Sequence, residues 1–195
     1  VETMDFFKRT TSQDEFLYRF YKPYMHHMGN KVYFDTQVPF TELLFTYAGA
    51  KTEAEQTLQV RHAQNINRFL NIGLDLNIIN SLGQYNYQST DDRSFTIHSS
   101  YLGEKYQAFR TWTINNFTGG ENGGLEDLTQ LGTVATRDLA TRLGGLNNAS
   151  SVFRYKDLLL IQKLIVGGRS KSVGDTINKG KKSSVKGTFS HILSW

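Results

Sequence analysis

The chain has 195 residues, no cysteine and a formal net charge of +4 at pH 7. This length suits one domain with a sizeable core, and the lack of cysteine excludes disulfides, cysteine-ligated zinc and thiol catalysis. No run approaches the ~20 apolar residues of a membrane helix. A membrane β-barrel leaves no such run either, because only alternate residues face lipid.

The N-terminal residues, 1–36, are predicted to form an irregular arm. Aromatic residues recur there without a clean period, and Pro23 and the Gly29-Asn30 turn signal interrupt any regular element. We therefore expect an irregular arm, with room for one short helical turn.

From residue 41 the sequence predicts strands separated by turns. Alternating polar and apolar residues and an abundance of β-formers mark seven segments. Their predicted ranges are 41–48, 55–65, 70 to as far as 87, 94–101, 106–117, 155–166 and 188–195. A turn is expected at 89–92, and the long connection after the fifth strand has room for a helical turn or two within 127–143.

The third predicted strand has the clearest alternation. Residues 70–78 read Leu-Asn-Ile-Gly-Leu-Asp-Leu-Asn-Ile, so apolar side chains fall on one face and small or polar groups, including Asp75, on the other. A strand between lipid and a watery lumen has this property. So does a strand on the outside of a soluble sandwich, and the pattern alone leaves both open.

The polar faces carry small, mostly uncharged residues, which suits a hydrated lumen better than the Lys- and Glu-rich outside of a soluble barrel. The candidates for the lumen are Thr57, Gln59, Arg61, Asn71, Asp75, Asn77, Thr96 and His98. The candidates for lipid contact are Leu58, Val60, Leu70, Ile72, Leu74, Leu76, Phe95 and Ile97.

The order of the strands predicts an all-β fold, an antiparallel up-and-down meander. Connections after strands two and four are short, and those after strands one, three and five are longer, as in outer-membrane barrels. The long connection after strand six breaks this rule. Its lysines are expected to lie on a solvated loop: Lys179, Lys181, Lys182 and Lys186.

Several short motifs occur in a characteristic order. They are Val-Tyr-Phe-Asp-Thr at 32–36, Pro-Phe-Thr-Glu-Leu at 39–43, His-Ala-Gln-Asn-Ile-Asn at 62–67, Leu-Asn-Ile-Gly at 70–73, Glu-Asn-Gly-Gly at 121–124 and Gly-Thr-Phe-Ser-His at 187–191. Together they resemble the N-terminal part of the putative porin family of Bacteroidetes. The resemblance implies a partial transmembrane β-barrel in the bacterial outer membrane, from an N-terminal piece of a longer protein.

On this basis residues 1–36 are expected to be a periplasmic or plug-like arm. Residues 37–195 are expected to be a barrel segment of about seven strands, truncated at its C-terminus. The expected function is passive diffusion of small solutes, with outer-membrane lipid as the other partner. No enzymatic activity, cofactor, metal site or nucleic-acid partner is expected. The alternatives are a soluble β-sandwich or lipocalin-like binding module, and a non-conducting barrel with a structural or secretion-associated role.

Overall fold

The structure is a computed structural model of the chain and describes residues 21–27, 31–49, 54–142, 149–166 and 187–194. Seven strands form one antiparallel sheet in sequence order. They are β1 (Phe40–Ala48), β2 (Glu55–Asn67), β3 (Leu70–Leu82), β4 (Ser89–Leu102), β5 (Tyr106–Glu121), β6 (Ala149–Val166) and β7 (Gly187–Ser194). The predicted all-β meander is confirmed. The sheet is not closed, because β1 and β7 are not paired with each other.

Several predicted boundaries differ from those of the structure: β3 ends at Leu82, β5 extends to Glu121, and β4 and β6 begin earlier than predicted. The turn expected at 89–92 is the start of β4, since Ser89 pairs with Leu82 on one side and with Gly120 on the other. Pairing on both sides holds these turn-forming residues extended. The turn lies instead at 83–88, where Tyr87 adopts a left-handed φ of 60°. β6 also begins earlier than predicted, because its first residues pair with the end of β5.

The two ends of the sheet differ in their connections. At the end we call the short-turn end, residues 68–69 join β2 to β3 and residues 103–105 join β4 to β5. At the opposite, long-loop end the connections are 49–54, 83–88 and 122–148. Short 3-10 turns at Leu128–Gln130 and Thr136–Asp138 lie in the last of these. The predicted alternation of short and long connections is therefore present from β1 to β6. The predicted exception is present as well, because the long connection 167–186 joins β6 to β7 at the short-turn end.

The arm precedes β1 at the short-turn end. Its described parts, residues 21–27 and 31–39, contain no helix or strand, only a turn at 21–24. The described residues do not include the rest of the arm, the lysine-rich connection after β6 or the aromatic residue Trp195.

Burial on the two faces is the reverse of that in a soluble domain. What we call the polar face holds most of the buried side chains of the described strands. Apart from Ala63 and Phe117 these are polar: Asn71, Asp75, Asp92, Ser94, Thr96, His98, Ser100, Thr111, Thr113, Asn115 and Asp157. The opposite, apolar face leaves large side chains uncovered, for example Leu43 at 68% exposed and Phe45 at 58% exposed.

The apolar residues cross the sheet diagonally. In one row of paired residues, apolar side chains on β1–β3 give way to polar ones on β4–β6: Phe45, Leu58, Ile78, Arg93, Asn116 and Arg154. In a row four residues away along β3 the order is reversed: Thr41, His62, Leu74, Ile97, Trp112 and Leu158. Between these two rows the centre of the apolar stretch shifts by about 13 Å along the strands and by about 12 Å across them. The apolar residues therefore form a band that crosses the rows of paired residues at about 45°.

Candidate functional site

The eight polar residues predicted to line a lumen all lie on the polar face. Strand pairing aligns Arg61 with Asp75 and Thr96, and aligns Gln59 with Asn77. Four of the eight are buried and two are half-buried, while Gln59 and Arg61 remain exposed. The alternation in the sequence therefore brings these eight side chains together, but it does not give them equal access to solvent.

The arm covers the part of the polar face formed by β3–β6. The side-chain amide of Asn115 accepts a hydrogen bond from the His26 backbone N–H at 3.0 Å and donates one to the His26 carbonyl at 2.9 Å. The His26 ring lies 3.1 Å from the Thr96 hydroxyl. Asn115 is completely buried, so the sheet binds the arm through its backbone, with the geometry of a strand pair.

Aromatic and hydroxyl contacts hold the rest of the arm. Tyr21 stacks on Phe117 and Phe153, with ring centroids 5.2 and 4.9 Å apart. Nearer the short-turn end, the Tyr33 hydroxyl bonds with the hydroxyl of Thr111. The described arm therefore runs along the polar face from the long-loop side towards the short-turn end.

Four charged groups meet where the arm crosses β1–β3. Lys31 pairs with Asp75, and both are nearly buried. The other Asp75 oxygen accepts from Nε of Arg61 at 2.9 Å, and Nη1 of Arg61 donates to Glu42 at 3.2 Å. The Phe34 ring lies beside the guanidinium of Arg61, and the Cζ atom of Arg61 is 5.9 Å from the centroid of that ring. Each charge thus has an opposite partner, as a poorly solvated site requires.

Burial shifts the protonation of the arm. Burial first, and the positive charges of Lys31 and Arg61 second, lower the pKa of His26 to about 4. Burial, with a further contribution from Arg61, lowers the pKa of Lys31 to about 8. At neutral pH the docked arm therefore carries a neutral His26, and Lys31 is still mostly charged.

Glycine is required at position 73 because the ring of His98 lies too close to the backbone there for a larger residue. The buried ring of His98 lies directly over it, and a Cβ at this position would overlap that ring. The ring of Tyr33 packs edge-on to His98 at 5.8 Å. The glycine in the alternating stretch therefore makes room for a histidine from the next strand.

An open groove remains beside the arm, over β1–β3. Its volume is about 630 Å³, and its walls come from the arm and from three strands. The polar side chains of those strands in its lining are Glu42, Gln59, Arg61, Asp75 and Asn77. Arg61 and Glu42 are its exposed strand charges, at 48% and 56% exposed.

The eight apolar residues predicted to contact lipid all lie on the opposite face. Leu58 pairs with Ile78, Val60 with Leu76, and Leu74 with Ile97. All eight are at least partly exposed, and within the described part of the chain nothing packs over them.

Sequence reasoning missed the arm residues that dock and several of the strand residues that receive them. Asn115, Thr111 and Thr113 were detectable, because they alternate with the apolar residues of the fifth predicted strand. The roles of His26 and Lys31 were not detectable, since no local period links them to partners far along the chain.

Other kinds of site are not found among the described residues. None of their His, Asp and Glu side chains form a group of three that could hold a metal ion. No helix in that part of the chain has the length and apolar character needed to cross a membrane.

An up-and-down antiparallel sheet with a buried polar face and an exposed apolar face is the architecture of a porin-like β-barrel protein. A family model described as putative porin matches residues 1–191. The chain belongs to this putative porin family. No curated protein and no solved structure matches it.

Proposed function

We propose that this chain folds in the bacterial outer membrane as part of a β-barrel porin, and that small solutes diffuse passively through the groove beside the arm. Membrane lipid would cover the apolar face, and small solutes would contact the polar one. The proposal assigns the chain neither catalysis nor nucleic-acid binding, and it retains the expected origin in Bacteroidetes.

The inverted burial is the observation that carries this proposal. Soluble proteins rarely leave a contiguous apolar surface larger than a few hundred Å² without a partner. Here large apolar side chains on all seven strands are exposed, while serine, threonine and asparagine side chains are buried. A soluble sandwich would cover the apolar face with a second sheet, and the described residues form only one.

The diagonal apolar band supports a bilayer as the partner. Strands of outer-membrane barrels are tilted by about 35–45°, so a level belt of lipid crosses their rows of paired residues obliquely. The band in this sheet crosses its rows at about 45°. A soluble sandwich has no reason to shift its apolar residues in this way.

The ends of the sheet suggest an orientation. Outer-membrane barrels have short periplasmic turns and longer extracellular loops, which assigns the short-turn end to the periplasm. Phe69, Tyr101 and Tyr106 cluster at that end, with ring centroids 6.2 and 6.0 Å apart. Aromatic girdles occupy such positions at membrane interfaces. Further strands pairing with the free edges of β1 and β7 would close the barrel.

The arm favours one alternative, a barrel with a structural or secretion-associated role and no open channel. The arm covers β3–β6 and also forms part of the wall of the groove over β1–β3, so much of the polar face is occupied by the chain itself. The groove of about 630 Å³ is the reason for preferring conduction.

Conductance separates the two functions. The full-length protein, with the strands that close the barrel on the free edges of β1 and β7, is expected to show stepwise conductance in planar bilayers. Liposomes containing it are expected to swell in small sugars. Stable insertion without conductance or swelling would support the structural barrel. Recovery as a monomer that stays soluble without detergent would support the soluble binding module.

A further inference from the structure

The charges exposed in the groove form one close pair on neighbouring strands. Glu42 on β1 and Arg61 on β2 are directly paired in the sheet register, and their side chains meet at 3.2 Å. The remaining charged pair in the lining, Lys31 with Asp75, is nearly buried. A solute in the groove therefore meets Arg61 and Glu42 first.

Arg61 is held in a fixed position. Its Nε donates to Asp75, its Nη1 donates to Glu42, and the ring of Phe34 lies beside its guanidinium. An arginine restrained on three sides presents its charge at one place in the groove, unlike a mobile side chain that averages its charge over a large volume.

We propose that Arg61 and Glu42 are the charge-selecting residues of the groove, and that together they favour uncharged or zwitterionic small solutes over simple ions of either sign. This inference rests on the proposed function, because it assigns selectivity to the same passage. Their fields largely cancel for an ion that carries one charge. A zwitterion can orient its carboxylate towards Arg61 and its ammonium group towards Glu42.

The size of the groove makes each single charge decisive. A sphere of 630 Å³ has a radius of about 5 Å, whereas the Debye length is about 10 Å at 0.1 M salt. One uncompensated charge on the wall therefore acts across the whole passage. The cluster of Lys31, Arg61, Asp75 and Glu42 carries two charges of each sign. Removing Arg61 therefore leaves it one negative charge in excess, and removing Glu42 leaves it one positive charge in excess.

The test is the reversal potential of the full-length protein, with its barrel closed, in planar bilayers under a KCl gradient at pH 7.5, where most histidine side chains are neutral. Arg61→Gln is expected to raise the K⁺ to Cl⁻ permeability ratio several-fold, and Glu42→Gln is expected to lower it several-fold. Arg93→Gln is the matched control, because Arg93 pairs with Asp91 on the opposite face. It should leave the ratio unchanged.

A second variant guards against misfolding of Arg61→Gln. The chain has no cysteine, so Gln59→Cys places a single thiol in the groove lining without removing a charge. A cationic thiol reagent should then shift the ratio towards Cl⁻, and an anionic reagent should shift it towards K⁺.

The outcomes separate the two proposals. Conductance whose ion preference is unaffected by the Arg61, Glu42 and Gln59 changes would overturn the selectivity assignment and leave the porin assignment standing. Equal shifts from Arg61→Gln and Arg93→Gln would also overturn it. Stable insertion of the wild-type chain without conductance would overturn both.

Discussion

The two faces of the sheet differ most in what covers them. The polar face of β3–β6 is covered by the arm of the same chain, through the backbone of His26 and the charge of Lys31. The apolar face has no cover among the described residues. The polar surface thus binds its own chain, whereas the apolar surface needs a partner from outside the described residues. In the proposed function that partner is membrane lipid.

The largest effect is expected from a charge on the apolar face. Leu74→Arg should destabilise the protein in lipid vesicles by about 2–4 kcal/mol, because Leu74 lies within the apolar band, which the proposed function places in hydrocarbon. Urea unfolding of the full chain in vesicles measures this change. Gln59→Arg, exposed on the polar face, is the control and should cost little. Equal losses would mean that the faces are wrongly assigned.

A smaller effect is expected from filling space on the polar face. Gly73→Ala should destabilise the protein by about 1–3 kcal/mol, because the added methyl group overlaps the ring of His98. The double variant Gly73→Ala, His98→Ala should recover part of this loss in the same unfolding assay. Gly187→Ala serves as the control, since a Cβ there has no neighbour closer than 3.8 Å. If Gly73→Ala lowered the free energy of unfolding no more than Gly187→Ala, the close packing of Gly73 against His98 would be contradicted.

Neighbouring asparagines test how the arm is held. Asn115→Ala should release the arm, because it leaves the N–H and carbonyl of His26 without partners, at about 1–3 kcal/mol per group. Limited proteolysis of the folded protein should then cut within 21–36. Asn116→Ala changes the apolar face, where the Asn116 side chain accepts a hydrogen bond from Arg154, and should leave the arm protected. If the arm stayed protected from cleavage in both variants, the stacking of Tyr21 on Phe117 and Phe153 would be sufficient to hold it on the sheet.

The smallest effect is expected from pH. His26 binds a proton more weakly when docked, with a pKa of about 4, than its ordinary value of 6.5. Docking is therefore strongest above pH 6.5 and weakens as the pH falls towards 4, by about 1 kcal/mol at pH 5.5. Cleavage of the arm by an acid-tolerant protease should increase accordingly. His26→Gln should remove this dependence, and an unchanged dependence would assign it to another group.

The strand sequences determined the side of the sheet on which each residue lies. A period of two is a local property of an extended chain, so residues 70–78 were sufficient to separate Asp75 from Leu74. The same pattern in the neighbouring strands separated the sixteen candidate residues into the two groups that lie on opposite faces of the sheet. That one face meets a lumen and the other lipid stays a prediction.

Only the tertiary structure decided what each face meets. His26 and Asn115 are 89 residues apart, and no period in the sequence relates them. The polar face that alternation left for water is in large part a binding surface for the arm, and Asp75 is paired with Lys31 and Arg61 beneath it. Alternation fixes the direction of a side chain within its own strand. The partners of that side chain depend on where a distant, irregular segment packs.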